Sequence, residues 1–190
     1  MVHTFSNMLE LGAPAPDFKL TDVISGTSKT LAQLKSDKAT VVMFICNHCP
    51  YVKHYNEALS KFAGEYLQKG VSIVAISSND ADSFPDDSPE KLKEQAKEFG
   101  FEFPYLYDET QIVAKAYKAA CTPDFFVFND DLKLVYRGQF DSSRPKNDLP
   151  ITGKDLREAL EAILKGRPVN SKQLPSSGCN IKWKAGVSPF

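Results

Sequence analysis

Apolar residues in this chain fall into short continuous runs and into helical stripes, and the two kinds alternate. Thr40-Val41-Val42-Met43-Phe44-Ile45 is a β-branched and aromatic run bounded by polar residues, the pattern of a strand buried on both faces. It ends at Cys46-Asn47-His48-Cys49-Pro50. Over 50–69 the residues Val52, Tyr55, Leu59, Phe62, Ala63, Tyr66 and Leu67 recur at helical spacing, and Gly70 supplies the stop. A second buried strand is predicted over 71–76. The polar, Asp-rich stretch 79–87 does not fit a calcium loop, because counting from Asp80 puts Phe84 and Lys91 where oxygen ligands are required. It is expected to be a solvated linker. Ser88-Pro89-Glu90 joins a cap residue, a first-turn proline and an acid near the positive helix end, which predicts a helix up to Phe99, before Gly100. A short strand over 103–107 and a helix over 109–119 follow, the latter with Ile112, Val113, Ala116 and Tyr117 inward. Residues 125–128 and 132–136 flank a turn at Asn129-Asp130-Asp131 and read as a β-hairpin. Thr152, with Asp155 three residues on, opens a last helix reaching about Lys165.

This order is βαβ, then α, then an antiparallel hairpin, then α. It predicts an α/β fold with a mixed central sheet and helices on both faces. The length of 190 residues suits one domain, placed at residues 9–165, with a Pro-, Ser- and Gly-rich C-terminal extension over 166–190. Charges nearly cancel: 23 Lys plus Arg against 24 Asp plus Glu give a net of −1, so no global field favours nucleic acid or an anionic membrane. No apolar run approaches the roughly 18 residues of a membrane span. Residues 1–12 lack a basic segment followed by an apolar core, so no export signal is expected, and the predicted compartment is the reducing cytoplasm.

Four cysteines stand at positions 46, 49, 121 and 179, too few for a disulfide-stapled scaffold of this length. Cys46 and Cys49 form a Cys-Xaa-Xaa-Cys segment where a strand runs into a helix. A helix N-terminus presents unpaired N–H groups and partial positive charge, both of which favour a thiolate. His48, between the two, can add positive charge or accept a proton. A redox pair is the leading reading. Half of a zinc site is the bland one, but no second Cys pair accompanies it, and no metal or other cofactor is expected. Cys121 reads as a small buried hydrophobe or a third redox sulfur, and Cys179 as an unreactive tail thiol or a resolving one.

Four segments carry a resemblance. Gly12-Ala13-Pro14-Ala15-Pro16-Asp17-Phe18 resembles an opening shared by peroxiredoxins and thioredoxin-like reductases. Cys46-Asn47-His48-Cys49-Pro50-Tyr51-Val52-Lys53, Cys121-Thr122-Pro123-Asp124-Phe125-Phe126 and Gly178-Cys179-Asn180-Ile181-Lys182-Trp183-Lys184 together resemble a peroxiredoxin-like subgroup of the alkyl hydroperoxide reductase and thiol-specific antioxidant (redoxin) family. The resemblance implies a thioredoxin-like fold and a thiol redox role. It also implies that Thr122-Pro123 is a cis bond beside Cys46, whose unpaired Thr122 backbone groups receive an incoming peptide or mixed disulfide.

The chain departs from both patterns it resembles. In the Pro-x-x-x-Thr-x-x-Cys peroxidatic pattern this chain has Val42, Cys46 and Cys49, and all four arginines (Arg137, Arg144, Arg157 and Arg167) come after Cys121, where the family places one. Thioredoxins carry Trp before the first cysteine and Gly-Pro between the pair; here stand Ile45 and Asn47-His48. Three functions remain open. The leading one is a thiol-disulfide oxidoreductase in which Cys46 attacks as thiolate, its pKa lowered by His48 and the helix end, and Cys49 resolves; the order stays open, since the thioredoxin resemblance names the first cysteine and the peroxiredoxin resemblance the second. The second is a thiol peroxidase with Cys49 as the peroxidatic residue, resolved by Cys46 or Cys179. The third is a copper or zinc binding protein using Cys46, Cys49 and a histidine. The partners expected are a protein or small-molecule disulfide, or a peroxide, together with a thiol or disulfide electron donor.

Overall fold

The computed structural model describes residues 3–187. In chain order the elements are β1 (His3–Phe5), β2 (Lys19–Asp22), β3 (Ser28–Thr30), α1 (Leu31–Leu34), β4 (Ala39–Phe44), α2 (Pro50–Gln68), β5 (Ser72–Ser77), α3 (Pro89–Phe99), β6 (Tyr105–Tyr107), α4 (Ile112–Ala116), β7 (Cys121–Thr122), β8 (Asp124–Asn129), β9 (Leu134–Gly138), α5 (Lys154–Leu164) and β10 (Ser177–Asn180). Seven strands form one sheet in the order β3-β2-β6-β5-β4-β8-β9, and β1, β10 and β7 form a second, small one.

β4 is the spine of the large sheet. It runs parallel to β5 and antiparallel to β8, and all six of its residues are buried. Val41 and Met43 face a core shared with Leu59 and Phe62 of α2, Leu92 of α3 and Leu156 of α5. Val42 and Phe44 face the opposite core, with Leu31 of α1 and Val113 of α4. Alternation along one strand thus feeds two cores, with helices on both faces as predicted. Each fully buried side chain of this size contributes about 1.5–3 kcal/mol of transfer free energy.

Three expectations are corrected. The expectation of a solvated linker holds only for the middle of 79–87: residues 82–86 are exposed, but Asn79, Asp80 and Asp87 are buried, and a 3₁₀ turn, Pro85–Asp87, leads into α3. The Asp80 carboxylate accepts from the nearby Asp82 amide, and Asn79 and Asp87 bond each other and the distant Lys182, Asn47 and His48 amides, so burial leaves these side chains satisfied. The helix predicted over 109–119 is a single turn that starts only after Gln111, which is in the left-handed region at φ 62°. Ile112 is therefore 66% exposed, and Ala116 also faces outward. Gly153, not Thr152, caps α5. The Thr152 hydroxyl accepts from the Lys154 amide at 3.3 Å, while the Asp155 amide goes to the Phe140 carbonyl at 3.2 Å, and Asp141, from a separate loop, fixes the approach to the helix by accepting from the Thr152 and Gly153 amides at 2.6 Å each.

The sequence pattern also missed β1, β2 and β3, each only three or four residues long. Within the predicted extension, residues 177–180 form β10, which lies between β1 and β7.

Candidate active site

Cys46 lies two residues beyond β4, and Cys49 is the N-cap of α2. Pro50 at the first helical position suits this start, since its fixed φ is already helical and it has no N–H to leave unpaired. The Thr122-Pro123 bond is cis and joins β7 to β8 beside the two cysteines. Cys46 Sγ is 3.4 Å from the Thr122 hydroxyl, and the Cys49 thiol is 3.2 Å from the Thr122 carbonyl oxygen. All four cysteines are free thiols and all are buried.

Cys179 joins this pair. β10 runs antiparallel to β7 with Cys179 opposite Thr122 and Asn180 opposite Cys121, and the Cys179 thiol hydrogen-bonds Cys49. The approach is close enough to need glycine: a Cβ on Gly178 would lie 2.0 Å from the Thr122 carbonyl oxygen. The Thr122 edge is therefore already occupied by the chain's own C-terminal strand. This corrects the expectation that its backbone stands unpaired for an incoming peptide. Cys121, by contrast, points its thiol to the Pro123 carbonyl at 3.6 Å.

The three neighbouring sulfurs divide their protons unequally. Hydrogen bonds from Cys179 first and Cys46 second, helped by the Thr122 hydroxyl and the Val52 amide, hold Cys49 well below the usual thiol range against the cost of burial. The Thr122 carbonyl is the one contact that favours a protonated Cys49, and it is outnumbered by those donors. Burial pushes Cys46 up, and its hydrogen bond to Cys49 and the charge of Asp87 push the same way. Cys179 is raised by its hydrogen bond to Cys49 and then by burial. Cys121 is raised by burial and by Asp124. The helix end thus serves Cys49, which sits at it, and not Cys46, which lies three residues before it; the expected thiolate at Cys46 is corrected on that ground.

His48 is fixed by a residue that the sequence reading set aside. Asp87, fully buried, accepts from the Asn47 amide at 2.8 Å, the His48 amide at 2.9 Å, the Asn79 side chain at 2.7 Å and His48 Nδ1. These bonds hold the carboxyl below its usual range despite burial. The ring of His48 also stacks on Phe84, with centroids 5.4 Å apart. Beneath Cys46, Gln95 donates to the Cys46 carbonyl at 3.4 Å and to Asn56 at 3.2 Å, and Tyr105 donates to Gln95 at 3.3 Å. Asn56 and Gln95 each interrupt an apolar helical stripe, a signal that marks a polar contact with something buried.

Cys46, His48 and Asp87 bring one potential metal-ligating atom each within 4.8 Å of one another. The donor set does not suit an ion. A carboxylate has about four lone-pair sites, and those of Asp87 already serve four donors. Nor does this cluster match the expected set, since Cys49 turns to the other sulfurs instead.

Residues 11–137 match the AhpC/TSA family. A thiol-disulfide oxidoreductase, ResA, of Halalkalibacterium halodurans is 26% identical over 129 residues, 68% of either chain. A crystal structure of a conserved protein from Geobacillus kaustophilus is 60% identical and covers 98% of this chain and 99% of its own, with a TM-score of 0.97. A thiol:disulfide interchange protein of the thioredoxin family from Chlorobium tepidum shares the fold at 18% identity, with a TM-score of 0.62 over 82% of this chain and 99% of that one.

Proposed function

From the premise that the chain belongs to the AhpC/TSA family, we propose that it is a thiol-disulfide oxidoreductase whose Cys46–Cys49 pair cycles between dithiol and disulfide. The observation that carries this reading is the contact between the two sulfurs, one held as a thiolate at a helix N-cap and the other protonated and hydrogen-bonded to it. Cys49 is the nucleophile. It attacks a disulfide sulfur, the leaving thiol departs, and Cys46 then attacks the Cys49 sulfur to close the internal disulfide. Asp87 and His48 order the turn between the cysteines and so act as positioning residues. Thr122 contributes its hydroxyl at Cys46. A reducing cytoplasm belongs to the same reading, since it would return the pair to the dithiol.

A thiol peroxidase is the second reading, favoured by the thiolate at Cys49. The support that lowers Cys49 comes from thiols, the Thr122 hydroxyl and an amide rather than from an arginine that would polarise a peroxide. Titrating the full chain with glutathione redox buffer and mapping its disulfides tests both. The oxidoreductase reading expects a reversible Cys46–Cys49 bond with a defined midpoint potential. Peroxide oxidation of Cys49 much faster than that of a free thiol at equal thiolate fraction would decide for the peroxidase instead.

A further inference from the structure

Of the three cysteines whose sulfurs are in contact, Cys179 lines a surface cleft. That cleft, about 210 Å³ in volume, lies between the start of α2 and the loop at Pro145-Lys146, and Pro50, Tyr51, Pro145, Lys146 and Cys179 all line it. Cys46 and Cys49 do not. Any molecule entering the cleft therefore meets Cys179 before it meets the pair behind it.

β10, which carries Cys179, is paired on both of its edges. β10 pairs through Cys179 with Thr122 on one side and with His3 of β1 on the other. Gly178 leaves no gap against Thr122. β10, the strand that carries Cys179, therefore offers an extended peptide no backbone edge on which to add as a further strand. A small disulfide needs none, and the cleft offers it apolar walls at Pro50, Tyr51 and Pro145 with the basic side chains of Lys146 and His3. A lysine at such a place suits a carboxylate.

We propose that Cys179 is a third catalytic thiol, the port through which a low-molecular-weight, carboxylate-bearing disulfide exchanges electrons with the Cys46–Cys49 pair. The inference rests on the thiol-disulfide reading above. In the resting site the proton belongs to Cys179, and the Cys49 thiolate acts as general base, accepting it along their hydrogen bond only as the Cys179 sulfur attacks. That attack falls on one sulfur of the external disulfide, whose S–S bond breaks. The first small thiol leaves with the proton held by Cys49, and a mixed disulfide remains on Cys179. Cys49 attacks Cys179, forming Cys49–Cys179 and releasing the second small thiol as a thiolate that takes its proton from water. Cys46 attacks Cys49, forming Cys46–Cys49, and the Cys46 proton returns to Cys179. The external disulfide is reduced to two thiols, and two protein thiols are oxidised to one disulfide.

The test uses the full chain, fully reduced under anaerobic conditions and mixed with glutathione disulfide, with acid quench and peptide mass analysis. Wild type should show Cys49–Cys179 before Cys46–Cys49, and Cys49→Ser should accumulate the glutathione adduct on Cys179. Cys179→Ala should form Cys46–Cys49 at least about tenfold more slowly, because the disulfide must then reach a sulfur that does not line the cleft. Lys146→Gln should slow glutathione disulfide but leave the uncharged hydroxyethyl disulfide unaffected. Circular dichroism on each variant controls for folding, and the order of intermediates in wild type needs no variant. The proposal is overturned if Cys179→Ala forms Cys46–Cys49 at the wild-type rate, an outcome that leaves the underlying reading intact. It is also overturned if the Cys49→Ser adduct forms on Cys46, or if insulin is reduced by wild type faster than glutathione disulfide. If no Cys46–Cys49 bond forms in wild type at all, both the proposal and the reading beneath it fall.

Discussion

The Asp87 carboxylate holds His48 at two points, its backbone amide at 2.9 Å and its ring Nδ1, across 39 residues of chain. Asp87 also accepts from Asn47, so the whole turn between the cysteines hangs on one buried side chain. The same charge lies close enough to Cys46 to raise its pKa. One residue therefore orders the redox turn and keeps one of its two thiols protonated.

Asp87→Asn separates these effects. The amide oxygen can still accept from Asn47 and His48, but the new NH₂ faces the donor NH₂ of Asn79. A buried donor left without an acceptor costs about 1–3 kcal/mol. The expected result is a lower denaturation midpoint together with a lower Cys46 pKa, because the negative charge is gone. A destabilised variant with an unchanged Cys46 titration would restrict Asp87 to a structural part.

The thiolate at Cys49 makes a second, ordered prediction. Reduced wild type should show the ultraviolet absorbance of a thiolate at neutral pH, and Cys49→Ser should lose it. Since Cys179 is the largest cause of the lowered value and Cys46 the next, Cys179→Ala should raise the Cys49 pKa more than Cys46→Ala does. The folding consequence has a definite sign. A depressed pKa stabilises the fold above the ordinary thiol value of 9.0, and that stability is lost as pH falls toward the folded value. Wild type should thus gain stability relative to Cys49→Ser as pH rises toward 9.0. Equal slopes for the two proteins would remove the thiolate.

How much of this was legible depended on whether a feature is local. β4, α2, β5 and α3 each carry their signal within their own residues: an unbroken apolar run, a helical stripe, or Ser88-Pro89 whose Ser88 hydroxyl does accept from the Lys91 amide at 3.4 Å. The Cys-Xaa-Xaa-Cys turn was legible for the same reason. Asp87 was not, because a polar residue in a polar stretch looks solvated until Asn47 and His48 arrive from elsewhere. The order between Cys46 and Cys49 stayed open in the sequence because Cys179 lies 130 positions beyond Cys49 and meets it through the β10–β7 pairing. Gly178 carried the one local hint, a residue with no side chain beside a cysteine.

Gly178→Ala tests how firmly that strand seals the site. A methyl group 2.0 Å from the Thr122 oxygen and 3.3 Å from Pro123 cannot be placed without moving β10. Overpacking of this kind costs about 1–3 kcal/mol. Alkylation of Cys49 by iodoacetamide should accelerate by at least about tenfold in the variant, corresponding to roughly 1.4 kcal/mol less protection of the closed state. Alkylation at the wild-type rate, with the protein folded, would show that β10 does not guard Cys49.

Asp124 offers the last prediction, on stability rather than chemistry. It is 1% exposed, and neither carboxyl oxygen closes a hydrogen bond; the Ala120 and Phe125 amides point toward the carboxyl and lower its pKa only in part. Arg137 contributes an attractive charge without forming an ion pair, and its own Nε is buried and unpartnered. Burial therefore dominates and pushes the Asp124 pKa well above the ordinary 3.8. For an acid raised on folding, the protonated form is the one the native state prefers. Stability is then fully present below the unfolded value and declines as pH rises through the folded one. Asp124→Asn removes the titration while keeping the shape and one polar group. The variant should match wild type near pH 3.8 and become progressively more stable than it as pH rises, read as a growing difference in Tm. A variant less stable than wild type at neutral pH would mean that the ionised carboxylate holds Arg137 in a pairing worth more than its own burial costs.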